Sequence, residues 1–255
     1  MEGYDSSTYG ERYADVYDDW YADVTDAEAC ADRVAAVVAE AGGGPVLELG
    51  VGSGRLALPM AARGLEVHGL DASPSMLDRL RAKPGGGSIA TTVGDMASVP
   101  LVDPPPFAVV LVAFNTLFNL TTEDAQRRCL RRVGELLVPD GRLLVEAFVP
   151  QDDLPDRAER SVTPRHITAD EVVLTVSQHD PVAQTITGQH VHLTEAGTRL
   201  RPWHLRYLTP AQIDELAAGA GLALVERAAG WRGEPFGTGS EVHVSTYRRA
   251  VSTQR

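Results

Sequence analysis

An acid at position 48 followed by glycines at 50, 52 and 54 is the arrangement in this chain with the most chemical content. Val46-Leu47-Glu48-Leu49 reads as a buried strand carrying that acid near its end. The alternating glycines then let the backbone turn so tightly that no side chain separates it from a ligand. From Leu56 the apolar spacing becomes helical, so the free amide groups of a helix N-terminus face the same crevice. Strand, tight loop and helix together make a pocket for a nucleoside-containing cofactor.

The residues downstream fit that pocket. A second strand, 65–70, ends in Asp71, about 20 residues past the loop, where an acid accepts hydrogen bonds from ribose hydroxyls. Ala72, Ser73 and Met76 then flank the nucleoside, with Met76 offering a soft apolar contact. A third strand, 89–93, leads into Gly94-Asp95-Met96. The fourth, 107–114, ends at Phe114-Asn115, with Phe118 just beyond, and ligands of open α/β sheets sit outside such strand ends. No aspartate there could anchor a divalent ion, and no metal is expected. Asp103-Pro104-Pro105-Pro106-Phe107 looks like the catalytic signature of DNA amino-methyltransferases, but it precedes the fourth strand and reads as a stiff turn.

Spacing separates two classes of nucleoside. A dinucleotide fingerprint needs its third glycine where this chain has Arg55. The pattern E-x-G-x-G-x-G instead resembles motif I of the class I S-adenosylmethionine (SAM) dependent methyltransferases. That resemblance implies an α/β, Rossmann-like, seven-stranded mixed sheet of order 3-2-1-4-5-7-6, closed by an antiparallel hairpin that a plain dinucleotide fold lacks. It further implies cofactor contacts at Glu48, which helps hold the amino group, and at Gly50, Gly52, Arg55, Asp71, Ala72, Ser73 and Met76. Gly94, Asp95 and Met96 close over the adenine, Phe114 and Asn115 approach from the fourth strand, and Tyr13 and Tyr21 lie above. The overall pattern is similar to bacterial small-molecule members of secondary metabolism, amino-sugar N-methyltransferases among them.

Stepping outward to the elements that hold these residues, four segments emerge: an N-terminal helical lid at 1–41, the cofactor-binding core at 42–150, an antiparallel β insertion at 151–208, and a closing helix and hairpin at 209–255. Tyr9, Tyr13, Tyr17, Trp20 and Tyr21 recur at spacings that one helix would turn into a single aromatic stripe, suited to cover a sulfonium cation. Thr25 with Glu28 has the form of a capping box for the helix behind it. The insertion reads as three strands, about 171–178, 184–193 and 199–208, with His190 and His192 on one face. It forms a substrate wall or the contact of a homodimer. Asp140-Gly141 is expected as a turn before strand five.

At 255 residues with a formal net charge of −12 and pI near 5.0, the chain is a poor match for nucleic acid, which needs a concentrated basic face. Arg127, Arg128, Arg131 and Arg132 have the spacing of a solvated helix face. Two cysteines suggest no disulfide framework, and the absence of a membrane-length apolar run or signal pattern suggests a soluble, cytoplasmic protein. The expected activity is metal-independent, in-line methyl transfer from SAM to a nitrogen, oxygen or carbon of a small molecule, with S-adenosylhomocysteine as product. A non-catalytic SAM-binding protein and an NAD(P)-dependent oxidoreductase are the competing readings. Tyr21, His192, His204 and Glu146 are the candidate bases, and Tyr17, Trp20, Phe118, Trp203, Arg206 and Trp231 the candidate substrate contacts.

Overall fold

The computed structural model describes residues 1–22, 24–99, 107–150 and 158–250. A seven-stranded sheet runs through its centre. Strand β1, Val46–Leu49, is buried on both faces and pairs in parallel with β2, Val67–Asp71, and with β4, Phe107–Val112. The continuous apolar runs Val46-Leu47 and Phe107–Val112 are what a parallel strand covered on both sides requires. With β3, Ala90–Val93, β5, Leu137–Phe148, and the closing pair β10, Leu222–Ala228, and β11, Val242–Arg249, the order is β3-β2-β1-β4-β5-β11-β10. Among the described strands of this sheet β11 alone runs against the rest, pairing antiparallel with both β5 and β10. The connection reverses direction between β1 and β4, and that switch point is where such sheets bind ligands.

Two helical layers cover the sheet. Helices α3, Ala27–Glu40, α4, Ala57–Ala62, and α5, Pro74–Ala82, pack on one face, and α6, Glu123–Leu136, and α7, Pro210–Gly219, on the other. Helix α6 starts where Thr122 caps the Ala125 amide and buries Ala125, Cys129, Leu130, Val133 and Leu136 at helical spacing. Its outer face carries the arginines, with Arg127 and Arg128 paired to Glu123 and Asp124 one turn earlier. Helix α7 opens with the capping box of Thr209 and Gln212.

Three local features differ from expectation. The N-terminal aromatics lie on two short helices, α1, Thr8–Tyr13, and α2, Tyr17–Trp20. The break falls at Asp15, whose carboxylate is drawn to Arg199 and Arg201 of the insertion. Helix α3 is capped by Asp26, which accepts from the Ala29 amide, while Thr25 turns its hydroxyl to Glu146. Asp140-Gly141 makes no turn before β5; the strand starts at Leu137 and absorbs these residues where its register with β4 shifts.

The insertion is a four-stranded antiparallel sheet: β6, Glu159–Ile167, β7, Glu171–Asp180, β8, Thr185–Thr194, and β9, Gly197–Arg206. The missed strand, β6, is an edge strand with Pro164 at a register shift, the one kind of place where a sheet tolerates proline. The Asp103–Pro106 stretch and the connection from Gln151 lie outside the described residues.

Candidate active site

The crevice beyond β1, β2 and β4 encloses about 280 Å³, at the lower end of what small ligands occupy. Its floor is the glycine loop. Gly50 has φ +72°, and a Cβ there would lie 2.5 Å from Thr116 Cγ2, so no other residue fits. Asp71 fixes the loop from the end of β2: the Gly52 amide donates to one carboxylate oxygen and the Ser73 amide to the other, each at 2.8 Å. Burial pushes this carboxyl up, while the amides of Ser73, Gly52 and Ala72 pull it down. Its remaining lone pairs are available to the crevice, which it lines together with Ala72, Met76, Gly94, Asp95 and Met96.

The end of β4 is strained. Phe114 and Asn115 have φ of +46° and +63°, a conformation that residues with a Cβ rarely adopt. Glu146 holds them there: its carboxylate accepts from the Phe114 amide at 2.8 Å and its backbone carbonyl from the Asn115 amide at 3.0 Å. The second Glu146 oxygen accepts from the indole nitrogen of Trp231 at 2.9 Å. Glu146 therefore positions the crevice wall from behind and is not among the residues that line the crevice. Trp231 is likewise core, not substrate contact.

Glu48 and Arg55 sit beside the lining. Glu48 is 4% exposed, its Oε2 has no partner, and burial raises its carboxyl to about 8 against the pull of Arg55. The Arg55 guanidinium stands over the Phe114 ring at 5.2 Å with buried Nε and Nη1 unpartnered. A carboxyl and a guanidinium with free hydrogen-bonding atoms beside the crevice complement the amino and carboxylate ends of an amino acid, the carboxyl giving up its proton when an ammonium arrives.

Helices α1 and α2 and the insertion form the roof. Tyr17 and Tyr21, whose rings are 4.9 Å apart, line the crevice together with Tyr9. Tyr13 does not: it is fully buried, stacked on Tyr9 at 4.3 Å, with its hydroxyl turned to β8 and β9. The acids between the tyrosines fasten the segment. Glu11 accepts from the Ser73 hydroxyl at 2.6 Å and from Ser75 at the start of α5, which keeps Ser73 off the crevice surface. Asp18 accepts from the Ser53 hydroxyl at 2.5 Å and from Lys83 Nζ at 2.7 Å. No spacing in the sequence marks these partners, because they are 35 to 65 residues apart.

From the insertion, Trp203, His204 and His190 line the crevice. His204 bonds Thr187 Oγ1 through Nδ1 at 2.6 Å. His192, the histidine singled out by sequence, points its Nε2 to Glu171 at 2.7 Å and stands off the crevice, as does Trp20, packed between His190, His192 and Arg165. Phe118 is fully buried against Phe148, and Arg206 bonds Gln126 and Glu123. Among the described residues no helix is long and apolar enough to cross a membrane.

A glycine loop gripped by the acid after β2, on a sheet closed by an antiparallel hairpin, defines a class I SAM-dependent methyltransferase, and the chain belongs to that family. SAM is its methyl donor, which removes the NAD(P) and the non-catalytic readings. Residues 46–141 match the family described as a methyltransferase domain. The CcbJ methyltransferase from Streptomyces caelestis is 42% identical, with a TM-score of 0.89 over 97% of this chain and 100% of that one. An uncharacterized methyltransferase of Geobacillus kaustophilus is 32% identical over 145 residues, which span 56% of this chain and only 60% of that protein. The cypemycin N-terminal methyltransferase of a Streptomyces species is 28% identical over 197 residues, 76% of this chain and 78% of that one.

Proposed function

We propose that this enzyme methylates a neutral nitrogen of a small molecule held between the N-terminal aromatic segment, acting as a lid, and the insertion sheet, acting as a cap. In this reading Asp71 takes the ribose hydroxyls, Asp95 the adenine amine, and Glu48 and Arg55 the amino and carboxylate groups of the methionine end. The bound cofactor supplies an electrophilic methyl: the acceptor's lone pair bonds to that carbon as the carbon–sulfur bond breaks and its electrons leave on S-adenosylhomocysteine.

The observation that carries the choice of nitrogen is that each histidine of the crevice has its Nδ1 taken by a neighbouring hydroxyl, Tyr13 for His190 and Thr187 for His204. Burial and nearby cations lower His190 to about 4, burial also lowers His204, and burial raises Tyr4 to about 12. A ring held at about 4 removes a proton from a hydroxyl poorly. An amine arrives with its lone pair free, so alignment and exclusion of water supply most of the acceleration. The name of the cypemycin relative, an N-terminal methyltransferase, supports the same class.

The test is incubation with methyl-labelled SAM and a panel of amines, amino sugars, phenols and indoles, followed by mass spectrometry. Label on nitrogen is expected. Label confined to oxygen or carbon overturns the assignment.

A further inference from the structure

His190 makes a contact whose proton placement can be worked out. The Tyr13 hydroxyl lies 2.9 Å from the backbone carbonyl of Arg201 and 2.8 Å from His190 Nδ1. Arg201 is the direct cross-strand partner of His190 between β8 and β9, so one hydroxyl bridges the pair. A carbonyl only accepts, and a phenol has one proton to give. Both contacts are hydrogen bonds at once only when that proton goes to Arg201 and His190 Nδ1 carries its own hydrogen and donates it to Tyr13.

A neutral imidazole protonated on Nδ1 has a bare lone pair on Nε2. The ring stays neutral at pH 7, because burial and the charges of Arg165 and Arg201 hold it at about 4. Nε2 has no hydrogen-bond partner among the described residues and is not one of the sealed, unpartnered atoms. His190 lines the crevice at its insertion end, while Trp20 and Trp203 pack against its ring with centroids 5.7 and 6.2 Å away. A fixed, lone-pair-bearing nitrogen at the acceptor end has one use: it receives a hydrogen.

We propose that His190 Nε2 accepts the N–H of a primary or secondary amine substrate and so turns the amine's lone pair toward the methyl donor. This rests on the N-methylation reading. It also sets an end point. A neutral tertiary amine has no N–H to offer, so the product of the last useful turnover loses this contact and is not methylated again to a quaternary ammonium. As the new carbon–nitrogen bond forms, positive charge appears on the nitrogen and strengthens the N–H···Nε2 bond. The proton stays with the product, because a ring titrating near 4 does not take it from an alkylammonium, and it is released to solvent after departure.

The test uses the full chain with its histidines labelled with nitrogen-15, saturated with S-adenosylhomocysteine, and the His190→Phe variant to assign the His190 resonances. Nitrogen chemical shifts at neutral pH are expected to show Nδ1 protonated and Nε2 bare. Morpholine, a secondary amine, added at alkaline pH should move the Nε2 resonance, and N-methylmorpholine, which lacks the N–H, should not. Tyr13→Phe removes the group that fixes the tautomer, so Nε2 becomes partly protonated and morpholine affinity falls roughly three- to tenfold, the worth of one neutral hydrogen bond. A protonated Nε2 in the unaltered protein, or equal responses to the two morpholines, overturns the proposal. Calorimetric titration of the same sample with S-adenosylhomocysteine keeps the two readings apart: tight binding with no Nε2 response defeats the His190 role alone, and no binding defeats the cofactor site with it.

Discussion

Glu48 offers the sharpest quantitative test of the cofactor site. Its carboxyl is buried and raised to about 8, so without ligand at pH 7 it is about 0.9 protonated. An ammonium group brought beside it favours the carboxylate, and the proton must leave. A ligand α-amino group with an ordinary pKa near 7.8 takes up roughly 0.1 proton at the same pH, so about 0.8 proton is released per S-adenosylhomocysteine bound. Isothermal calorimetry in two buffers of different ionisation enthalpy reads that number directly. The sign follows from mass action: affinity rises with pH between 6 and 7 by roughly eightfold, levels near 8 as Glu48 ionises, and falls above that as the ligand amine loses its charge. Glu48→Gln should abolish the release and flatten the rise while leaving the protein folded, since glutamine keeps the volume. A release below about 0.2 proton in the unaltered protein, with affinity flat from pH 6 to 8, would mean that Glu48 does not face the amino group.

Four further outcomes follow from the same contacts. In the ligand-free protein Glu48 contributes stability that is fully present below its unfolded pKa of about 4.5 and is lost as pH rises through about 8, near 1.4 kcal/mol for each unit between them; thermal melts of Glu48→Gln should therefore show a smaller drop between pH 5 and pH 8, and parallel curves would count against the burial argument. Asp71→Ala removes the acceptor that pins Gly52 and Ser73 as well as the ribose partner, and should weaken SAM at least tenfold by calorimetry; unchanged affinity removes the ribose assignment. Gly10 lies so close to α5 that a Cβ would fall 2.3 Å from Ser73 Cβ, so Gly10→Val should keep α1 from seating and speed release of S-adenosylhomocysteine in stopped-flow tryptophan fluorescence, with an unaltered circular dichroism spectrum. A chain beginning at Asp26 should lose turnover yet keep the sheet, because Tyr13, Tyr21 and Met76 form a cluster separate from the two that cover the central strands; full activity in that chain would show that the segment is no lid.

What could be read from the sequence divides by range. The glycine loop, Asp71, Asp95 and the Phe114-Asn115 strand end were legible because each is a local pattern at the carboxyl end of a strand whose burial is written in its apolar run. The closing hairpin was legible from its two strands following the alternating strands and helices of the core. Side-chain direction was not. Tyr13 and Tyr17 sit one turn apart on paper, yet the break at Asp15 sends the first into the protein and the second into the crevice. His190 and His192 share a strand face, and only the neighbour on β7, Glu171, explains why His192 is taken up elsewhere. Trp231 and Glu146 are 85 residues apart, and nothing local announces that each satisfies the other.

Those long-range contacts bear on how the site is assembled. The N-terminal segment is tied at one end to α5 and the glycine loop, through Glu11 and Asp18, and at the other to the insertion, through Asp15 on Arg201 and Tyr13 on His190. Asp71 and Ser73 belong to the same turn, so a ligand that orders Asp71 also firms the ledge that receives Glu11. On the insertion side the Tyr13 hydroxyl of the same segment meets His190 Nδ1. The pairs of Asp18 with Lys83 and of Asp15 with Arg199 are partly exposed and contribute at most about 1 kcal/mol each, whereas the Arg201 partner of Asp15 is buried. Their combined effect is to make one short segment report on both halves of the crevice. Residues 8–21 therefore touch both sides of the crevice, the cofactor side through Glu11 and Asp18 and the insertion side through Asp15 and Tyr13.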